Sequence, residues 1–168
     1  MRIIFLGSPT QAIPVLEEIL NSKHEVVAVI TQSAKPKGRG LEKSKTAVAL
    51  YAEERNLQLF EVDLLREDFY QNILKKFQID LAVVVAFGHL IPEGLLDRLK
   101  FGWMNVHFSM LPKYRGAAPV QRSILNGEKK LGITFFQIDK GLDTGPIYLQ
   151  FEIDLDNQFA DEAFQELN

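Results

Sequence analysis

Three side chains in this sequence have the types and spacing to move an acyl group. Asn105 and His107 stand two residues apart in the strand-like run Trp103–Phe108. Residues i and i+2 of a strand share a face, so an amide and an imidazole would lie side by side at the strand's carboxyl end. Together they can polarise a carbonyl and handle a proton, which acyl transfer to an amine requires. Asp143 sits in the glycine-flanked turn Gly141-Leu142-Asp143-Thr144-Gly145. From there a carboxylate could approach His107, orient its ring and stabilise its cationic form. Taken singly, each has an ordinary explanation: a core-edge histidine bonded to backbone, or an aspartate that shapes a turn. The combination points to chemistry.

Other chemistries are poorly served. There is no cysteine, which removes disulfides, thiolate metal sites and thiol nucleophiles. The three histidines are dispersed and show no metal-ligand spacing, so no metal is expected. His24 opens a strand and should be solvated, whereas His89 follows Phe87-Gly88 at a strand end and is a secondary candidate. The first strand ends in Leu6-Gly7-Ser8-Pro9, one glycine where a dinucleotide fingerprint needs three. Pro9 also lacks a backbone donor for a phosphate. The segment Lys35–Lys45 gathers Lys35, Lys37, Arg39, Lys43 and Lys45 against Glu42 alone. In a chain of net charge −3, that loop concentrates cations where a phosphodiester backbone could bind; an ordinary solvated loop has the same composition.

The elements that must position these groups alternate in kind. Strands are expected at Arg2–Leu6, Glu25–Thr31, Gln58–Val62, Leu81–Phe87, Trp103–Phe108, Ile133–Ile138 and Ile147–Ile153. Helices are expected at Gln11–Asn21, Lys45–Asn56, Leu65–Phe77 and Pro92–Leu99. The run Leu81–Phe87 is apolar on both faces, as a covered parallel strand would be. The pattern predicts an α/β fold, a doubly wound, mostly parallel Rossmann-like sheet, whose ligands bind beyond the strands' carboxyl ends. Only eight residues, Asp139–Pro146, separate the last two strands. That is too short for a helical crossover and predicts an antiparallel hairpin near the C-terminus. Phe159–Leu167 has the spacing of an opening helix. At 168 residues and 46% hydrophobic, one domain with a proper core is expected. No run reaches the ~20 apolar residues of a membrane span and no signal-peptide core opens the chain, so the expectation is a cytoplasmic protein without membrane contact.

The run Asn105-Val106-His107-Phe108-Ser109-Met110-Leu111-Pro112, with Asp143-Thr144-Gly145 downstream, resembles the signature of the folate-dependent formyltransferases. The continuation Arg115-Gly116-Ala117-Ala118-Pro119 with Gln121, the start Phe5-Leu6-Gly7-Ser8-Pro9 and the loop Lys35–Gly40 are similar to the branch that formylates methionyl-tRNA. The resemblance implies a catalytic Asn105, His107 and Asp143, and 10-formyltetrahydrofolate as the formyl donor. It implies a donor pocket drawn from Phe87, Gly88, Ser109, Leu111, Pro112, Asp139, Gly141 and Leu142. It implies initiator methionyl-tRNA as partner, engaged through Lys35, Lys37, Arg39, Lys43 and Arg115, by a monomer. Residues 1–168 would then be one catalytic domain, cut short before a barrel-like domain that adds tRNA contacts. Phe108 and Met110 depart from the family's glycine and leucine; Phe108, alternating with His107, should pack beneath the site. Leu111-Pro112 is a candidate cis bond, although only ~5–6% of X–Pro bonds are cis. Two rivals remain: a sibling that formylates an amino-sugar nucleotide or glycinamide ribonucleotide, and a folate- or RNA-binding module without turnover.

Overall fold

The computed structural model describes residues 1–37, 42–66 and 68–154. The chain forms two compact units, Met1–Trp103 and Met104–Asn168. The first holds β1 (Arg2–Gly7), α1 (Ile13–Asn21), β2 (Glu25–Gln32), β3 (Lys35–Lys37), β4 (Glu42–Ser44), α2 (Ala47–Glu54), β5 (Leu59–Val62), β6 (Leu81–Val85) and α3 (Glu93–Leu96). Its parallel strands run in the order β5-β2-β1-β6. Ile4, Phe5, Leu6, Ala82, Val83 and Val85 are all buried; consecutive strand residues point to opposite faces, so β1 and β6 are covered on both. Leu16 of α1 and Val48, Ala49 and Ala52 of α2 complete the core. Helix α2 begins where Thr46 Oγ1 accepts the Ala49 N–H at 3.0 Å, satisfying one of the donors a helix start leaves open.

Three departures from the expected elements have local reasons. Strand β6 stops at Val85 because Ala86 turns to φ 45°. Phe87 then folds into the core, its carbonyl accepting from Gln32 Nε2 at 2.7 Å. The helix expected over Leu65–Phe77 is π-helical across Tyr70–Lys75, since apolar spacing does not separate neighbouring helical periods. Part of the basic segment is strand rather than loop: β3 and β4 pair antiparallel, Lys35 opposite Ser44 and Lys37 opposite Glu42. Arg39, between them, lies outside the described residues, as does the helix expected at Phe159–Leu167.

The second unit contains β7 (Trp103–His107, its first residue closing the first unit), α4 (Pro119–Leu125), β8 (Lys130–Gln137) and β9 (Ile147–Asp154). Strand β8 pairs antiparallel with β7 and with β9, giving the expected C-terminal hairpin. It begins three residues before the expected Ile133. Gly132 is needed there, because a Cβ would meet Met110 Cγ at 2.3 Å and Met110 N at 2.4 Å. Helix α4 was not expected; it is short and buries only Val120 and Ser123, too few positions to write a period. The α/β class, parallel sheet and antiparallel hairpin are as the sequence predicts. Among the described residues no helix is long and apolar enough to cross a membrane.

Candidate active site

Strand β7 places Asn105 opposite Phe136 and His107 opposite Thr134 across β8, so both side chains share one face. His107 Nε2 lies 3.0 Å from the Tyr114 carbonyl oxygen. A carbonyl only accepts, so Nε2 carries hydrogen. Nδ1 then faces Asp143 Oδ2 at 3.6 Å, with the two side chains 7% and 14% exposed. In the neutral ring this Nδ1 is a lone pair opposite a carboxylate, and only a proton between them makes the contact attractive. The Phe136 ring stands nearly perpendicular to the imidazole, the ring centroids 6.4 Å apart. The Asn105 amide makes no hydrogen bond among the described residues and is half-buried.

The turn between β8 and β9 brings the Asp143 carboxylate to the His107 ring. Asp143 adopts φ 51°, a left-handed conformation that aspartate tolerates better than most residues. Its Oδ2 also accepts the N–H of Gly116 at 2.7 Å, and Gly116 itself has φ 83°. Asp139 folds into the same turn, its Oδ1 accepting from Gly141 N at 2.9 Å and Thr144 Oγ1 at 2.7 Å. Gly145 permits the close return of the chain: a Cβ there would sit 1.7 Å from the Gln137 carbonyl oxygen.

The loop after β7 is held by one buried threonine. Thr134 Oγ1 donates to the Ser109 carbonyl at 2.6 Å and accepts from Leu111 N at 3.2 Å. It also accepts from Gln150 Nε2 at 2.9 Å, which donates to the Leu111 carbonyl at 2.9 Å as well. Ser109 is buried, its hydroxyl donating to the Lys113 carbonyl at 2.6 Å. The Leu111-Pro112 bond is cis. Phe108 is buried, which keeps its ring out of solvent. Sequence reasoning did not single out Thr134, Gln150, Tyr114 or Glu128. Thr134 left a faint signal, a hydroxyl inside the apolar run Leu131–Phe136.

The structure gathers Asn105, His107, Asp143, Ser109, Leu111, Pro112, Asp139, Gly141 and Leu142 in the second unit. Phe87 and Gly88 belong to the first, where Gly88 takes φ 81° and leaves space that Gln32 fills. Arg115 is exposed, its guanidinium without an acceptor among the described residues. Lys35, Lys37 and Lys43 lie on β3 and β4. His24 is half-buried against the N-terminal amine, 3.3 Å from its Nδ1. His89 stacks obliquely 5.3 Å from Phe87, and its Nε2 is buried without a hydrogen-bond partner among the described residues.

A parallel α/β unit followed by an antiparallel hairpin is an arrangement shared with solved structures. Phosphoribosylglycinamide formyltransferase from Bacillus halodurans superposes with a TM-score of 0.79 at 22% identity, over 99% of this chain and 87% of that one. A formyltetrahydrofolate deformylase from Pseudomonas syringae gives 0.76 at 18%, over 98% and 54%. At these identities the likeness shows the fold. The family model described as Formyl transferase matches residues 1–166, and the chain belongs to that family. Methionyl-tRNA formyltransferase from Thermus thermophilus is 47% identical over 88% of this chain and 48% of its own length. The Rickettsia bellii enzyme of that name is 42% identical over 92% and 51%, and that of Alkaliphilus oremlandii 43% over 100% and 53%. The chain thus spans about half the length of the curated relatives it matches.

Proposed function

We propose that this chain carries the chemistry of an enzyme that transfers a formyl group from 10-formyltetrahydrofolate to the α-amino group of initiator methionyl-tRNA. The observation that carries the reading is the His107–Asp143 contact beside an Asn105 amide with no hydrogen bond among the described residues. The neutral α-amine attacks the formyl carbon, and the formyl oxygen gains negative charge. Asn105 donates an N–H to that oxygen. With Nε2 committed to the Tyr114 carbonyl, His107 offers its Nδ1 edge: it takes the proton the new ammonium sheds and shares it with Asp143. The bond from the formyl carbon to the folate nitrogen then breaks, the proton passes to that nitrogen, and His107 returns to neutral.

The acceptor is read from the curated relatives, which are named methionyl-tRNA formyltransferase at 42–47% identity, whereas the glycinamide-ribonucleotide enzyme shares 22%. In the first unit, Lys35 and Lys37 on β3 and Lys43 on β4, in the basic segment that also contains Arg39, suit the phosphates of a tRNA acceptor end; in the second, so does Arg115, whose guanidinium has no acceptor among the described residues. On the donor side, the Ser109 hydroxyl and Asp139 Oδ1 are committed inside their own loops, so they shape the pocket. Leu142 and Pro112, both exposed, offer it apolar surface. Further tRNA contacts would come from the half of the relatives' length that this chain does not match.

Formyl transfer from 10-formyltetrahydrofolate to charged initiator tRNA tests the reading. Asn105→Ala and His107→Ala should each lose roughly 100–1000-fold in kcat, the worth of one oxyanion donor or positioned proton carrier, with circular dichroism unchanged. Undiminished turnover in either variant would sink the assignment.

A further inference from the structure

His107 receives its orientation from a backbone carbonyl, and that carbonyl belongs to a residue in an unfavourable conformation. Tyr114 has φ 57°. For a bulky residue this left-handed backbone is costly and persists only where the surroundings over-determine it. Its side chain supplies that determination. The hydroxyl donates to Glu128 Oε1 at 2.8 Å and accepts from Asn126 Nδ2 at 3.2 Å. The Arg122 guanidinium lies 5.5 Å above the ring. Glu128 is in turn held by Lys113 Nζ at 3.1 Å. The hydroxyl's grip first, then that of Lys113, keeps the Glu128 carboxyl below its ordinary range. The phenol is therefore anchored just beyond α4, at the far end of a residue whose carbonyl touches the imidazole.

We infer that Tyr114, anchored by Glu128, is a positioning residue that fixes His107 in its Nε2–H tautomer and so turns Nδ1 toward Asp143. Without the anchor, the Tyr114 backbone relaxes out of the left-handed region and its carbonyl leaves Nε2. The ring then loses the acceptor that distinguishes its two nitrogens, and part of the population presents a bare Nε2 and an Nδ1–H already bonded to Asp143. That population cannot accept the amine's proton at Nδ1. The consequence for turnover rests on the acyl-transfer reading; the tautomer does not.

The test is a ring nitrogen–proton NMR correlation on the whole ¹⁵N-labelled chain, whose three histidines are separable by the loss of one signal in His107→Gln. The wild type should show an Nε2-protonated His107. Tyr114→Phe should show averaging toward a tautomer mixture, and Glu128→Gln a smaller change in the same direction. Lys113→Met, which breaks the ion pair and spares the phenol's bond, should keep the wild-type ring pattern. In the transfer assay Tyr114→Phe should lower kcat about 3–10-fold, the worth of one ordinary hydrogen bond, at unchanged KM for the folate donor. A wild-type ring pattern in Tyr114→Phe, or an equal disturbance in Lys113→Met, overturns the inference. Should Tyr114→Phe not fold, an unaltered pattern in Glu128→Ala, which leaves the phenol no acceptor there, overturns it instead. A chain that shows the tautomer change but transfers no formyl group refutes the proposed function and leaves the positioning role standing.

Discussion

In the first unit, strands such as β1 and β6 are apolar through their length, and Phe5, Leu6, Val83 and Val85 vanish from solvent on both faces of the sheet. In the second, the segment from Phe108 to Ala118 is held by hydroxyls, an amide and a carboxylate bonded to backbone: Thr134 and Gln150 on Leu111, Ser109 on the Lys113 carbonyl, Asp143 on Gly116. Three of its residues, Tyr114, Gly116 and Ala118, are left-handed. Burial is non-directional and tolerates small shifts, so it builds a scaffold. Hydrogen bonds to backbone are directional, so they can aim a ring or a carboxylate. The difference separates a region held by burial from one held by directional bonds, and the proposed chemistry falls in the second.

Substitutions should respect that division. Phe5→Ala in β1 should have the largest effect, about 3–5 kcal/mol of stability lost to transfer and cavity terms, read by urea denaturation. Whatever variant remains folded should keep its His107 ring signals. Asp143→Asn should do the reverse. The amide oxygen still accepts from Gly116, so the melting temperature should stay near wild type. With no carboxylate to share the proton, kcat should fall about 100-fold, or ~2.7 kcal/mol in the barrier. Turnover close to wild type would mean that Asp143 merely shapes the turn.

Thr134→Val tests the boundary between the two regimes. It keeps shape but strands the Leu111 N–H and the Ser109 carbonyl in a buried place, costing about 1–3 kcal/mol. A matching loss of activity beyond the unfolded fraction is expected, because the loop that carries Tyr114 is then free to shift. The smallest effect is in acid. Glu128 titrates below its usual range in the folded chain, so the contribution of its bonds is complete above the ordinary value of ~4.3 and is lost as pH falls through the depressed one. Between pH 7 and 5 the Tyr114 ring signals should therefore be constant, changing only below; Glu128→Gln should abolish that acid response.

Much of the scaffold was legible because burial leaves a period. Strands β1, β2, β5, β7 and β9 fall within a residue or two of where apolar, β-branched runs place them, and the eight-residue connection forces the final hairpin. What the sequence hid has a physical cause in each case. The end of β6 depends on Ala86 accepting a positive φ, which no composition announces. Helix α4 buries too little to show a stripe. The Asn105 and His107 pair was legible from strand alternation, and Asp143 from its glycine-flanked turn, but a turn's sequence does not say where its carboxylate points.

The residue order by itself therefore determined the class of fold, the strand that carries an amide and an imidazole on one face, and the membership of the formyl transferase family. Only the tertiary structure decided which nitrogen of His107 is spoken for. That outcome depends on the Tyr114 carbonyl, on a phenol anchored to Glu128 fourteen positions onward, and on the return of Asp143 across the hairpin. Such contacts join residues far apart in the chain through directional bonds that write no period, so they exist only once the chain has folded.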